Sequence, residues 1–305
     1  MTTKTIYRIL GRLAACTLAL ALASCAKEDA LTPDFSNPSD NFAPKADDQS
    51  PEAQLRRQFF SQTGCYLLFN DTIQHNLLGT DINGQPRYFT ETVDLTYAVG
   101  QSASIMMKYS YTYLQTMEQK QQLTDFLQQY VLPHLTRKLR PYSWLLCSII
   151  NSYKDSYSSP SQPYAASNQR CVVVAGNYIL QRERTDAQKT QYAKRILNAI
   201  VGQLASNQSS AFEEFFQYSA DYYDKNYSAL GFSGTPSTAE LYQLGFLSST
   251  AISSFPSMTT DLSTYALMVI QYSDEELAAM YANYPIILKK ASVVRMVLIE
   301  LGYVF

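Results

Sequence analysis

The stretch TDAQKTQYAKRILNAIVGQLASNQSSAFEEFFQYSADYYDKNY, residues 185–227, decides how the rest of the chain is read. It predicts two consecutive amphipathic helices. In the first, Tyr192, Ile196, Ala199, Ile200 and Leu204 recur every three to four residues and so share one helix face. Lys189, Lys194, Arg195, Asn198 and Gln203 fall on the others. Thr185 with Gln188, and Ser210 with Glu213, have capping-box spacing, in which each side chain reaches an orphan backbone donor of the other. The second helix is expected to bury Phe212, Phe215, Phe216, Ser219, Ala220 and Tyr223.

Outward from this pair, the remaining elements are assigned by the same signals. Leu55, Phe59 and Phe60 predict a short helix from Glu52 to Gly64, and Cys65–Asn70 an apolar strand. Ile82-Asn83-Gly84-Gln85 is a turn signal, Val93–Val99 alternates in part, and Ile105–Leu114 alternates with Met107, Tyr109, Tyr111 and Tyr113 on one side. Thr116 with Gln119 caps a helix that carries Leu123, Phe126, Leu127 and Tyr130 and stops before Pro133. Tyr142–Ile150 and Cys171–Ala175 are apolar enough for central strands, on either side of a loop near residues 156–168. After the helix pair, Ser237 with Glu240 caps a short helix ending at Gly245, Asp261–Gln271 is helical, and Ser273 with Glu276 caps another helix. Pro285 opens a last one, with an apolar stripe of Ile286, Ile287, Ala291, Val294, Val297, Leu298 and Leu301 interrupted by Lys289, Lys290, Arg295 and Glu300. The expectation is an α+β fold, a small N-terminal sheet followed by a mainly helical C-terminal half, in one domain over residues 52–305.

The beginning of the chain reads as an address. Lys4, Arg8 and Arg12 precede an apolar run from Leu13 to Ala23, then Ser24 and Cys25, the pattern of a signal peptide over residues 1–24. The run is too short to span a bilayer, which takes about 20 apolar residues. Leu22-Ala23-Ser24-Cys25 resembles a bacterial lipobox, which implies cleavage before Cys25 and its lipidation. Ala26-Lys27-Glu28-Asp29 resembles the short tag that sends Bacteroidetes-type lipoproteins to the outer face of the outer membrane. Residues 25–51, rich in Pro, Asp, Asn and Ser, are expected to be a disordered tether. Loss of residues 1–24 removes three positive charges and takes the formal net charge from −2 to −5. That balance gives no electrostatic reason to expect nucleic acid.

Chemistry is sparse. Cys65, Cys147 and Cys171 are read as buried small hydrophobes, an odd number that allows at most one internal bridge, and no Cys-x-x-Cys pair occurs. The two histidines, His75 in an expected loop and His134 at a helix edge, are too far apart in sequence for a His-x-x-x-His zinc site. No Gly-x-Ser-x-Gly elbow, Walker loop or Gly-x-Gly-x-x-Gly turn is present, and with 11 glycines in 305 residues there is little from which to build a phosphate cradle. Glu213, Glu214, Asp221, Asp224 and Asp274-Glu275-Glu276 are the candidates for a carboxylate pair, but Glu213 and Glu276 are assigned to caps and the others to wet faces. The 24 tyrosines, clustered at Tyr109-Tyr111-Tyr113 and Tyr218-Tyr222-Tyr223-Tyr227, could be stacking platforms for sugars or the half-wet margin of a core; the second is favoured. Trp144, the single tryptophan, falls in an expected buried strand.

A lipobox, a tether, an early sheet, a long helix and then Gly245-Phe246-Leu247-Ser248-Ser249 with Asp261-Leu262 resemble the Bacteroidetes lipoprotein zinc metallohydrolases associated with nutrient import, which are metallopeptidase-like. The resemblance implies a zincin-like fold whose long helix carries His-Glu-x-x-His and whose third zinc ligand is a later glutamate. With that helix laid on Asn198–Gln208, Ile200, Val201 and Leu204 occupy the His, Glu and His positions and Thr264 falls near the third ligand. All four are wrong for zinc. The expectation is therefore a degenerate, non-catalytic domain on an outer-membrane surface lipoprotein, without cofactor, anchored through Cys25 and accessory to an outer-membrane importer. The alternative is a glycan- or peptide-capturing lipoprotein unrelated to peptidases, and after it an enzyme that uses carboxylates alone.

Overall fold

The computed structural model describes residues 41–96, 108–154, 159–168, 170–207, 209–248 and 253–305, with backbone alone at 203–207 and 209. The signal peptide, Cys25, the tag and most of the tether lie outside the described residues, as do Ile105 to Met107, Val99, Ser249 and the side chain of Leu204. Residues 41–305 make one compact α+β unit.

The described fold includes residues before Glu52. Phe42 is buried, and its carbonyl accepts from Arg56 Nη2 at 2.7 Å, so the last ten residues of the expected tether belong to the fold. Ser50 caps α1 (Pro51–Thr63), which ends at Gly64 with φ +74°, a conformation glycine adopts without strain.

The main sheet has the order β1 (Tyr66–Leu68), β5 (Ser143–Cys147), β8 (Cys171–Ala175), β7 (Ala165–Ser167); the first three run parallel and β7 is an antiparallel edge. Every residue of β5 and β8 is buried, which explains their unbroken apolar reading. Trp144, Leu146, Val172 and Val174 face the helices. Leu145, Cys147, Cys171 and Val173 face Phe42, Val93 and a ribbon formed by β4 (Lys108–Thr112) and β6 (Ile149–Tyr153). Tyr142–Ile150 is thus not one strand. The chain leaves the main sheet at Ser148, whose N–H donates to Thr112 O at 2.7 Å, and enters the ribbon. Tyr109 and Tyr111 are half-buried there, as the alternation implied.

The turn at Ile82–Gln85 closes a hairpin of β2 (Thr72–Thr80) and β3 (Pro86–Thr92), two strands that sequence periodicity did not mark. His75 lies in β2, not in a loop, with its ring stacked on Tyr88. The partial alternation at Val93–Val99 corresponds to no strand over its described part: Val93 is a core residue just past β3, and Asp94 Oδ1 caps a turn at Thr96 N.

The helices follow. α2 (Met117–Phe126) carries the Thr116–Gln119 capping box and passes through a π turn at Leu127–Val131 before Pro133. α3 (Asn177–Leu180) precedes α4 (Asp186–Asn207), where Thr185 and Gln188 exchange the two expected capping bonds. The second helix of the opening stretch is broken. A 3-10 turn at Ser209–Phe212 leads into a five-residue α5 (Glu213–Gln217), then turns. Phe212, not Ser210, holds the N-cap position and no side chain caps it, so Glu213 is no capping residue; Ala220 is exposed. The cause is tertiary: Phe212, Phe215 and Phe216 belong to the main core, whereas Tyr227 is buried in a separate cluster with Phe246 and Phe255, and one straight helix cannot serve both. The positive φ of Asp224, +59°, marks the redirection.

Capped as expected, α6 (Thr238–Gln243) and α8 (Asp274–Met280) flank α7 (Met258–Gln271), which is capped by Ser257 and starts three residues before the expected Asp261. α9 (Pro285–Leu301) closes the fold, and α7 lies between α4 and α9.

Candidate functional site

Of the residues singled out for metal binding, Ile200 and Val201 lie on α4 and Thr264 on α7, which packs against both α4 and α9. The N-terminal half of α4 is fixed by two bonds: Tyr192 Oη donates to Ala175 O at the end of β8, at 2.6 Å, and Lys194 Nζ to Gln271 O at the end of α7, at 2.8 Å. Ile200 and Val201 are buried in the main core. Thr264 sits on α7 with its hydroxyl donating back to Thr260 O at 2.8 Å. These three offer no free ligand, and the residues present do not fit zinc. Among the described residues, no group of three His, Cys, Asp or Glu side chains is arranged to hold a metal ion.

His75 and His134 are not brought together. His75 Nδ1 lies 2.7 Å from Thr90 Oγ1 on the hairpin, while His134 Nδ1 donates to Val304 O beside the C-terminus. The acids considered for a carboxylate pair, Glu213, Glu214, Asp221, Asp224, Asp274, Glu275 and Glu276, are all exposed. Tyr222 and Tyr223 are half-buried and pack edge-on against Phe246, Tyr222 is tilted against Phe255, Tyr227 is buried, and Trp144 is sealed in β5. Cys65, Cys147 and Cys171 are free and buried, and burial pushes Cys147 and Cys171 up to about 12.

What sequence reasoning missed is Lys290. It is fully buried, as is Asp261, and its ammonium lies 2.5 Å from Asp261 Oδ2. An ammonium has three N–H bonds to place. Asp261 Oδ2, Ser219 Oγ at 3.0 Å and Gly245 O at 2.9 Å take them. Tyr223 Oη donates to the same carboxylate oxygen at 2.8 Å, Ser219 Oγ donates to Leu244 O, and Tyr265 Oη donates to Gly245 O. The rings of Phe215, Tyr265 and Phe246 stand 4.3, 4.9 and 5.1 Å from the nitrogen, close enough for their negative faces to act on it. Burial pushes Asp261 up and Lys290 down, each opposed by the partner's charge, and holds Tyr265 well above its usual range. The sequence signal was there: Lys290 stands between Ile287, Ala291 and Val294, on the buried stripe and not beside it.

Ser219 and Lys290 have the composition of a Ser-Lys nucleophile pair. Their environment does not suit one. The Ser219 proton is committed to Leu244 O, the lysine is paired with a carboxylate, and Ser219 is 1 % exposed, so no acyl group reaches it. The arrangement ties α7 and α9 to the loop at Gly245 and to the turn after α5. It is a structural clamp.

Open recesses lie elsewhere. A groove of about 650 Å³ runs along α2 toward α4, lined by Gln121, Gln122, Asp125, Gln129, Tyr130 and Lys189, among others. Tyr130 Oη donates to Asp186 Oδ1 at 2.5 Å, which fixes the ring at its margin.

Searches of protein-family models, of curated proteins and of solved structures each found no match to this chain.

Proposed function

We propose that this chain is a non-catalytic lipoprotein of the outer-membrane surface, anchored through Cys25, whose zincin-like domain has lost its zinc site and serves as an accessory to nutrient import. The observation that carries the reading is the chemistry at the motif positions. Ile200 and Val201 are core residues on the long helix, and Thr264 spends its hydroxyl on its own helix. Leu204, at the second histidine position, is as unable to ligate. The order of elements supports the scaffold half of the proposal: an early sheet, then α4, then the Gly245-Phe246 segment, then a helix bearing Asp261. The decisive assay is hydrolysis of a fluorogenic peptide library by the full chain, with and without added zinc. No turnover above buffer is expected; hydrolysis that a chelator abolishes and zinc restores contradicts the proposal.

A second reading, capture of a glycan or peptide, is favoured by the groove along α2. Its amides, the carboxylates of Glu118 and Asp125 and a tyrosine ring are the groups that bind sugar hydroxyls and sugar faces. Binding on a glycan array that Tyr130→Ala or Gln122→Ala abolishes would support it.

A further inference from the structure

The β2–β3 hairpin is an arm with greasy residues in the wrong place for a water-facing ribbon. Leu77 is 61 % exposed, Leu78 64 % and Ile82, in the turn, 99 %; Tyr88 and Phe89 are about half exposed. Their arrangement is informative. Leu77 pairs with Tyr88 and shares a face with it, Phe89 points to the opposite face, and Leu78 is the extra residue of a bulge. A flat protein partner would cover one face and leave the other wet. A medium that surrounds the tip covers both faces and Ile82.

The charges agree. An exposed ribbon edge is ordinarily guarded by charged side chains. Between Leu77 and Phe89 the charged residues are Asp81 and Arg87, and Asp81 is turned inward, its Oδ1 accepting from Asn83 N and Gln85 N at 2.8 Å each. Glu91, near the base of the arm, is paired with Arg170.

The place where the chain enters the fold agrees as well. Phe42 and the hairpin residues Ile73 and Thr92 line one small cavity, so the N-terminal segment joins the fold at the base of the arm. Sixteen residue steps separate Cys25 from Asn41 and can span at most about 55 Å. A nine-residue strand is about 30 Å long. A lipid on Cys25 therefore leaves enough chain for the arm's tip to reach the same bilayer.

We propose that the tip of the β2–β3 hairpin, through Leu77, Leu78, Ile82, Tyr88 and Phe89, inserts into the interfacial zone of a lipid bilayer and provides a second membrane contact besides the N-terminal lipid. The inference rests on the lipoprotein reading for proximity, and the test separates the two. Full chain is prepared in lipidated form and as unlipidated Cys25→Ala, each with and without Ile82→Trp, and mixed with vesicles of phosphatidylethanolamine and phosphatidylglycerol carrying brominated acyl chains. In both forms the new indole should shift to the blue and be quenched. In the Cys25→Ala background, Leu77→Asp with Leu78→Asp should weaken vesicle co-sedimentation by about tenfold or more, with an unchanged circular dichroism spectrum. An indole that stays solvent-exposed on vesicle-bound lipidated protein overturns the proposal, as does a concentration-dependent dimer that the same aspartates disperse. Failure of palmitate labelling at Cys25 would remove the anchor reading and leave the hairpin readout intact.

Discussion

Lys290 Nζ donates to Asp261 Oδ2 across 2.5 Å in the middle of the helical half, with both side chains closed off from solvent. Removing two charges from water costs several kcal/mol per ion, and mutual attraction repays it only with good geometry and further hydrogen bonds. Here Ser219, Gly245 and Tyr223 complete the set, yet burial still outweighs the attraction, since Asp261 is pushed up and Lys290 down. The expected consequence is asymmetric. Lys290→Met alone should destabilise by about 3–5 kcal/mol, because it strands a buried carboxylate, whereas Asp261→Leu combined with Lys290→Met should recover most of that loss. Urea unfolding of the four proteins of the cycle checks it.

The same pair sets a pH dependence. Asp261 is raised above its ordinary 3.8, so between that value and its folded pKa the native state holds a proton that the unfolded chain has lost, and stability falls as pH rises. Lys290 is lowered below 10.5, so between its folded pKa and 10.5 the native state has lost a proton that the unfolded chain keeps, and stability rises with pH. The stability of the wild type minus that of the double variant should therefore be lowest at intermediate pH and climb toward both ends. Titrating groups elsewhere, such as Glu118 and Glu240, are common to both proteins and cancel in the difference.

Gly245 is in the left-handed region at φ +81°, and a Cβ there would stand 2.5 Å from Ile286 Cγ2. Its carbonyl also accepts from Lys290 and Tyr265. Gly245→Ala should cost about 1–3 kcal/mol, from backbone strain and displacement of α9. Thermal unfolding of the variant, read beside the control Gly84→Ala, which has a similar φ but open space around it, separates the packing part from the strain part.

Buried thiols held up to about 12 should be unreactive at neutral pH. Cys147 and Cys171 should resist iodoacetamide in native protein at pH 8 and label fully in denaturant, with mass spectrometry assigning each site. Rapid native labelling of Cys171 would mean that the sheet opens locally under those conditions.

How far the sequence reached depended on where each signal originates. Helix starts are written locally, in pairs such as Thr116–Gln119, Ser237–Glu240 and Ser273–Glu276, and the structure has all three capping boxes. Strands β5 and β8 were legible because both faces are covered, every position is buried and all but Ser143 are apolar. The hairpin strands were not, because their apolar residues face outward on both sides and leave no period of two against a core. The break after α4 was hidden for a different reason. Phe212 to Tyr227 has the density of a core helix, but it divides its rings between two clusters, a choice made by partners from Phe246 to Val294 that no local window contains. Lys290 was read as an interruption of an apolar stripe when its partner, Asp261, lies 29 residues away. Of the candidate site, the absence of zinc-type side chains at Ile200, Val201, Leu204 and Thr264 is a property of the sequence alone. The buried clamp of Lys290 and Asp261 required the fold.

The central claim, that the scaffold carries no zinc chemistry, is tested most directly by counting metal. Full-length protein purified without chelator and dialysed against micromolar zinc should retain far less than one zinc per chain by inductively coupled plasma mass spectrometry, and Ile200→Ala should leave that value unchanged. One tightly held equivalent per chain would contradict the account and require ligands drawn from side chains other than these four.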